Sequence, residues 1–264
     1  MKTFVPAIVL GLALAAPAAA QIWQEKPYPQ WSKSDCEKIL RDSPWSRGRT
    51  LTGVNITPLQ TNPRGVNIPP PLSPTDPSFP VPSATPSVAE TRFGNPQITY
   101  VAQLWSARPL REAFVRNEQL DPRVEQFSAE QKHKLEEHHA RILGASFDEY
   151  VVIRVLYSST VKSYDVDLAN FWQRQFPEEL KQRVYLIGSG GRKVRPAQIH
   201  IAKGAGREFQ LIFPRFVEGQ LIVEPGDKSL AVEFEHPNVG NITRQRVLLE
   251  FDVRKMLVAG KLEY

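Results

Sequence analysis

Of its 264 residues the chain spends a single one on cysteine, Cys36. No intramolecular disulfide is therefore possible even in an oxidising compartment, and stability must come from an ordinary packed core. Cys36, Ile39 and Leu40 share one helix face at i, i+3, i+4, so the thiol is expected to be buried as a small hydrophobe. Catalytic signatures are missing as well. No G-x-S-x-G elbow marks a nucleophile. Gly188-Ser189-Gly190-Gly191 is not followed by Gly-Lys-Ser/Thr, and its strand-like flanks make it a turn instead of a phosphate cradle. Charge of one sign is scarce too: 33 Lys and Arg face 28 Asp and Glu. The short basic groups are Arg47 with Arg49, Arg108 with Arg111, and Arg192 and Lys193 with Arg195. Each is readable as contact with an anionic surface, but a solvated exterior is the broader expectation.

The one marked apolar run, Phe4 to Ala15, is short for a membrane-spanning helix. Lys2 precedes it and Ala18-Ala19-Ala20 follows, an A-x-A cleavage signal before Gln21. Residues 1–20 thus read as a secretory signal, and the product is expected to be exported, periplasmic or secreted. No transmembrane segment is expected after cleavage. Export also argues against a nucleic-acid partner, leaving an envelope component or another protein.

Residues 21–49 hold Trp23, Trp31 and Trp45 and read as a small helical module. Ser34 and Glu37 have capping-box spacing, predicting a helix from about Asp35 to Arg41 that stops before Ser43-Pro44. Barely two turns long, it is marginal alone and must dock. Trp31, Ile39, Leu40 and Trp45 are the candidate docking or partner surface, with docking onto the chain's own domain favoured. Residues 50–92 change character: ten prolines fall between Pro58 and Pro86, predicting an extended linker.

Residues 93–264 carry the strand signals. Leu230, Val232 and Phe234 alternate with Ala231, Glu233 and Glu235, and Val247, Leu249, Phe251 and Val253 with Leu248, Glu250 and Asp252. Pro225-Gly226 suits the centre of a type II turn. Tyr150 to Tyr157 (YVVIRVLY) is the most hydrophobic strand candidate and is expected to be central. Pro196 confines its strand to an edge or bulge. Helices are expected from Pro109 and from Ser128, the latter with Gln131 completing a capping box, and over Asp165 to Phe176. The expected fold is mainly β, an antiparallel, immunoglobulin-like β-sandwich with a helical insertion at 107–145.

The sharpest cluster of metal-type side chains is His133, Glu136, Glu137, His138 and His139. His133 and Glu137 share a helix face and have the chemistry to hold a divalent cation. The spacing is not H-E-x-x-H, however, and a solvated polar face is the expected reading, with no cofactor implied.

Trp31-Ser32, Asp35, Ile39-Leu40 and Ser43-Pro44-Trp45 resemble the N-terminal signature of hypothetical exported proteins from soil bacteria. Trp105-Ser106-Ala107-Arg108-Pro109-Leu110-Arg111-Glu112-Ala113 resembles that family's W-x-S-A-x-P-x-R-E-A segment, without the residue between Trp and Ser. The tail, from Phe251 through Lys255-Met256 to Gly260-Lys261-Leu262-Glu263-Tyr264, resembles its closing strands. The resemblance implies export and shared architecture, and transfers no site residue. A non-catalytic envelope or secreted binding module is the expected function; the alternative is a metal-assisted or acid–base hydrolase of envelope material.

Overall fold

The computed structural model describes residues 22–53, 95–188 and 190–264. The expected signal peptide, the proline-rich run from Pro58 to Pro86 and Ser189 lie outside the described residues. The helices are α1 (Ile22–Glu25), α2 (Lys33–Arg41), α3 (Arg108–Gln119), α4 (Ala129–Gly144), α5 (Lys162–Gln173) and α6 (Pro177–Leu180). The strands are β1 (Ser46–Thr52), β2 (Gln97–Leu104), β3 (Tyr150–Ser159), β4 (Tyr185–Ile187), β5 (Lys193–Val194), β6 (Gln198–Ile201), β7 (Glu208–Pro214), β8 (Phe216–Val217), β9 (Gln220–Leu221), β10 (Ser229–His236), β11 (Gln245–Asp252), β12 (Leu257–Val258) and β13 (Lys261–Leu262).

Two open antiparallel sheets organise these elements. One runs β1-β2-β3-β7-β6 and the other β11-β10-β4-β5. Strand β3 takes the centre of the first, where its run of Val, Ile and Leu finds cover. Leu230, Val232 and Phe234 of β10 and Val247, Leu249 and Phe251 of β11 are buried, as a period of two requires. The sheets share one core: the Tyr100 ring of β2 lies 5.1 Å from Phe234 of β10. Helix α5 inserts Trp172 between them, 4.5 Å from Phe209 and 5.9 Å from Phe234. Each such burial contributes about 1.5–3 kcal/mol. The turn at Glu224–Asp227 has Gly226 at φ 105° and closes from Asp227 N–H to Glu224 O at 3.1 Å, the geometry that Pro-Gly favours. Pro196 ends pairing between β5 and β6, and the chain crosses there from an edge of one sheet to an edge of the other.

Two expectations need correction. The fold is mixed, with helix and strand in about equal measure, not mainly β. Helices α5 and α6 lie outside the expected insertion, and Trp172 makes α5 part of the core.

The second correction concerns the N-terminal segment. The expected boundary at residue 49 falls inside β1, which pairs with β2 from Ser46↔Gln103 to Thr52↔Gln97. Gly53 N–H donates to Pro96 O at 2.9 Å, so the chain leaves and rejoins the sheet at one point. The proline-rich segment therefore connects two neighbouring strands of one sheet and does not separate a tethered module from a domain. The α2 cap also lies two residues earlier than expected. Ser32 accepts from Asp35 N–H at 3.2 Å, and Asp35 accepts from Ser32 N–H at 3.0 Å. Starting there sets Trp31 just before the cap and Cys36 one turn inside, the spacing of a hydrophobic staple, and both are buried.

Candidate functional site

Trp31, Ile39 and Trp45 are at most 2 % exposed, and Leu40 is half-buried. They are not available as a surface for another molecule, because the chain itself covers them. Trp31, Cys36 and Ile39 pack with Ala113 of α3, whereas Trp45 enters the main core. Polar bonds fix the arrangement. The Leu40 carbonyl accepts from Ser46 Oγ at 2.7 Å and Gln103 Nε2 at 2.8 Å, and Trp45 Nε1 donates to Glu263 O at 2.7 Å. Burial pushes the Cys36 thiol up to about 11, away from thiolate chemistry.

The histidine-rich helix separates into two roles. His133 Nε2 and Glu137 Oε1 form an exposed i,i+4 pair at 3.3 Å. His139 turns inward and meets Glu118 of α3 at 3.0 Å, clamping α4 onto α3. Among the described residues, no set of three or more His, Cys, Asp and Glu side chains is placed to hold a metal ion.

His236, the last residue of β10, was not singled out in the sequence. It is fully buried, its Nδ1 lies 2.9 Å from the Tyr100 hydroxyl, and its Nε2 has no partner among the described residues. Burial alone pushes its pKa down to about 4, holding the imidazole neutral. It lines a small cleft of about 180 Å³ with Trp172, Arg183 and Arg244, below the size that encloses a ligand.

A larger cleft, about 470 Å³, lies where the start of α3, the end of α4 and the β12-β13 hairpin meet. Three stretches distant in sequence build it: Ser106, Arg108 and Arg111; Gly144 to Asp148; and Lys261 to Tyr264, with Arg215 beside them. Pro109 sits in the first turn of α3, where its missing N–H costs nothing. Ser106 Oγ accepts from Val152 N–H at 3.3 Å, tying this corner to β3. Arg111, 6 % exposed, reaches the C-terminus of α4 and donates through Nη1 to Ile142 O at 2.7 Å and Ala145 O at 3.0 Å. A cation there answers the negative end of the helix dipole. Its guanidinium also stands 4.8 Å over the Phe147 ring. Across the cleft, Arg215 donates to Phe147 O at 3.1 Å and to Tyr264 O at 2.6 Å, stacking 4.1 Å over the Tyr264 ring.

The sequence grouped Arg108 with Arg111 but gave no reason to separate that pair from the other basic groups. The structure does. Arg192 and Lys193 are exposed, the first donating to Gln220 Oε1 at 2.7 Å and the second pairing with the buried Glu233 at 3.1 Å, whereas Arg111 is itself buried at a cleft wall. Arg215 went unnoticed, and Tyr264 was marked only as part of the tail, because nothing local in sequence joins either to residue 111.

Comparison with known proteins finds no matching family model, no matching curated protein and no matching solved structure. The class defined by the coordinates is a mixed helix-and-strand protein with two open antiparallel sheets and a polar, arginine-walled cleft. Among the described residues, no helix is long and apolar enough to cross a membrane.

Proposed function

We propose that the chain is a non-catalytic exported binding module, of the envelope or secreted, whose recognition surface is the arginine-walled cleft. Its scaffold is the two-sheet sandwich, in the broad sense of an immunoglobulin-like packing of two β-layers. One observation carries the reading: the stretches 105–113 and 260–264, singled out separately in the sequence, converge on the same cleft. Its volume falls within the roughly 300–1,000 Å³ of ligand pockets, and Arg108 and Arg111 on α3 and Lys261 on β13 place three of its cations on regular elements. The charged leader before Gln21 supports export.

Gly144 provides the test. Gly144 lines the cleft and a Cβ built there meets nothing within 4 Å, so Gly144→Trp starts its side chain in open space beside it. Soluble fragments of bacterial envelope are screened by ligand-observed NMR against both proteins. The reading requires hits that Gly144→Trp abolishes while its melting temperature stays within about 2 °C. Hits that persist unchanged in Gly144→Trp, or none from any fragment class, contradict it.

A further inference from the structure

We infer that the cleft takes a small ligand through an oxyanion group, a carboxylate or a phosphate, seated between Arg111 and the cationic rim of Arg108 and Lys261. This rests on the cleft being the recognition surface and adds the chemistry of what it recognises.

The inference starts from an imbalance of donors and acceptors at the cleft wall. Arg111 is nine-tenths buried and, among the described residues, has no ion pair and no hydrogen-bond partner for its Nε. Taking a guanidinium out of water is costly unless its donors are met. The carbonyls at the end of α4 meet only Nη1. The acids lining the cleft already have donors: Asp148 accepts from Ser146 Oγ at 2.5 Å, and Glu263 lies 3.6 Å from Lys261 Nζ. The lining carries four cations, Arg108, Arg111, Arg215 and Lys261, against those two carboxylates. A planar guanidinium in the cleft wall beside exposed cations has the fork geometry that binds carboxylate and phosphate. Arg108 and Lys261 have 68 % and 82 % exposed side chains; each has an exchangeable surface partner, Glu112 at 2.8 Å and Glu263 at 3.6 Å, that a bound oxyanion would compete with.

The test titrates the whole mature protein with inorganic phosphate, with citrate and with a neutral sugar fragment of envelope glycan. Calorimetry reads affinity, and hydrogen exchange reads protection at 106–111 and 260–264. The expected result is saturable one-to-one binding of phosphate or citrate, weakening as salt rises. Lys261→Glu should weaken it about tenfold with no change in melting temperature, because that side chain is exposed and makes no core contact. The stronger of the two probes identifies the oxyanion. Citrate and phosphate that fail to saturate overturn the inference, as does binding that Lys261→Glu leaves unchanged. If the neutral sugar alone protects the cleft, the oxyanion assignment is wrong while the recognition surface stands. If nothing protects it, both fall.

Discussion

Helices α2 and α4 invert the usual relation between length and anchorage. The nine residues of α2 fall short of what an isolated helix needs, yet it buries Cys36 and Ile39 and has both ends pinned. Ser32 and Asp35 close its start, while Ser46 and Gln103 hold its last turn through the Leu40 carbonyl. The sixteen residues of α4 bury only His139. That helix is held by polar clamps: Ser128 and Gln131 at its start, His139 with Glu118 in the middle, and Arg111 at its end. Apolar packing makes α2 part of the global fold, whereas directional bonds hang α4 beside the cleft, whose wall its last turn lines. The difference is one of cooperativity. Losing a core side chain costs the whole molecule; losing a clamp frees one element.

The largest expected effect is at Trp45. Trp45→Ala removes a fully buried indole and its bond to Glu263 O, and should cost about 3–5 kcal/mol of global stability by denaturant melt. Unchanged stability would remove α2 and β1 from the anchored side of the comparison.

Acid should reach that same core through His236. Its folded pKa of about 4 lies below the ordinary 6.5, so between these values the unfolded chain binds a proton that the native state refuses. The stabilisation is full above pH 6.5 and is lost as pH falls toward 4, on the order of 3 kcal/mol in all. His236→Gln should flatten this part of the stability profile. A profile equally steep in the variant would assign the acid response elsewhere.

A third, smaller effect should be local. Arg111→Leu removes the α4 end-cap, and hydrogen exchange should accelerate over 129–144, corresponding to about 2 kcal/mol of local opening. Exchange rising equally in β3 would show that α4 and the sheets open together. The smallest effect belongs to His133→Ala, whose exposed pair with Glu137 should be worth less than about 0.5 kcal/mol.

Much of the sheet architecture was legible because burial on one face writes a period of two into the sequence. β10 and β11 announced themselves in this way, as did β3 by its apolar run. The Ser128 capping box also fell where its spacing placed it. Strand β1 did not show. Its sequence, SRGRTLT, buries only Ser46 and Leu51, so an edge strand paired across the proline-rich segment carries no alternation to read. The α2 cap was misplaced because two Ser-x-x-acid pairs overlap by two residues, and only packing against Ala113 chooses between them. His236 was in fact legible: it continues the inward series Leu230, Val232, Phe234 and is buried on that same face. The cleft was not, since periodicity reports which face a residue occupies and not which distant residue it meets.

Amide exchange resolved along the whole chain tests the contrast between the two helices most directly. Under native conditions, the amides of α2 and β1 should share the slow exchange of β2 and β3, opening only with global unfolding, while α4 exchanges earlier as a separate unit. If α2 and β1 exchange ahead of α4, the N-terminal segment is a loosely held appendage and its burial does not anchor the fold.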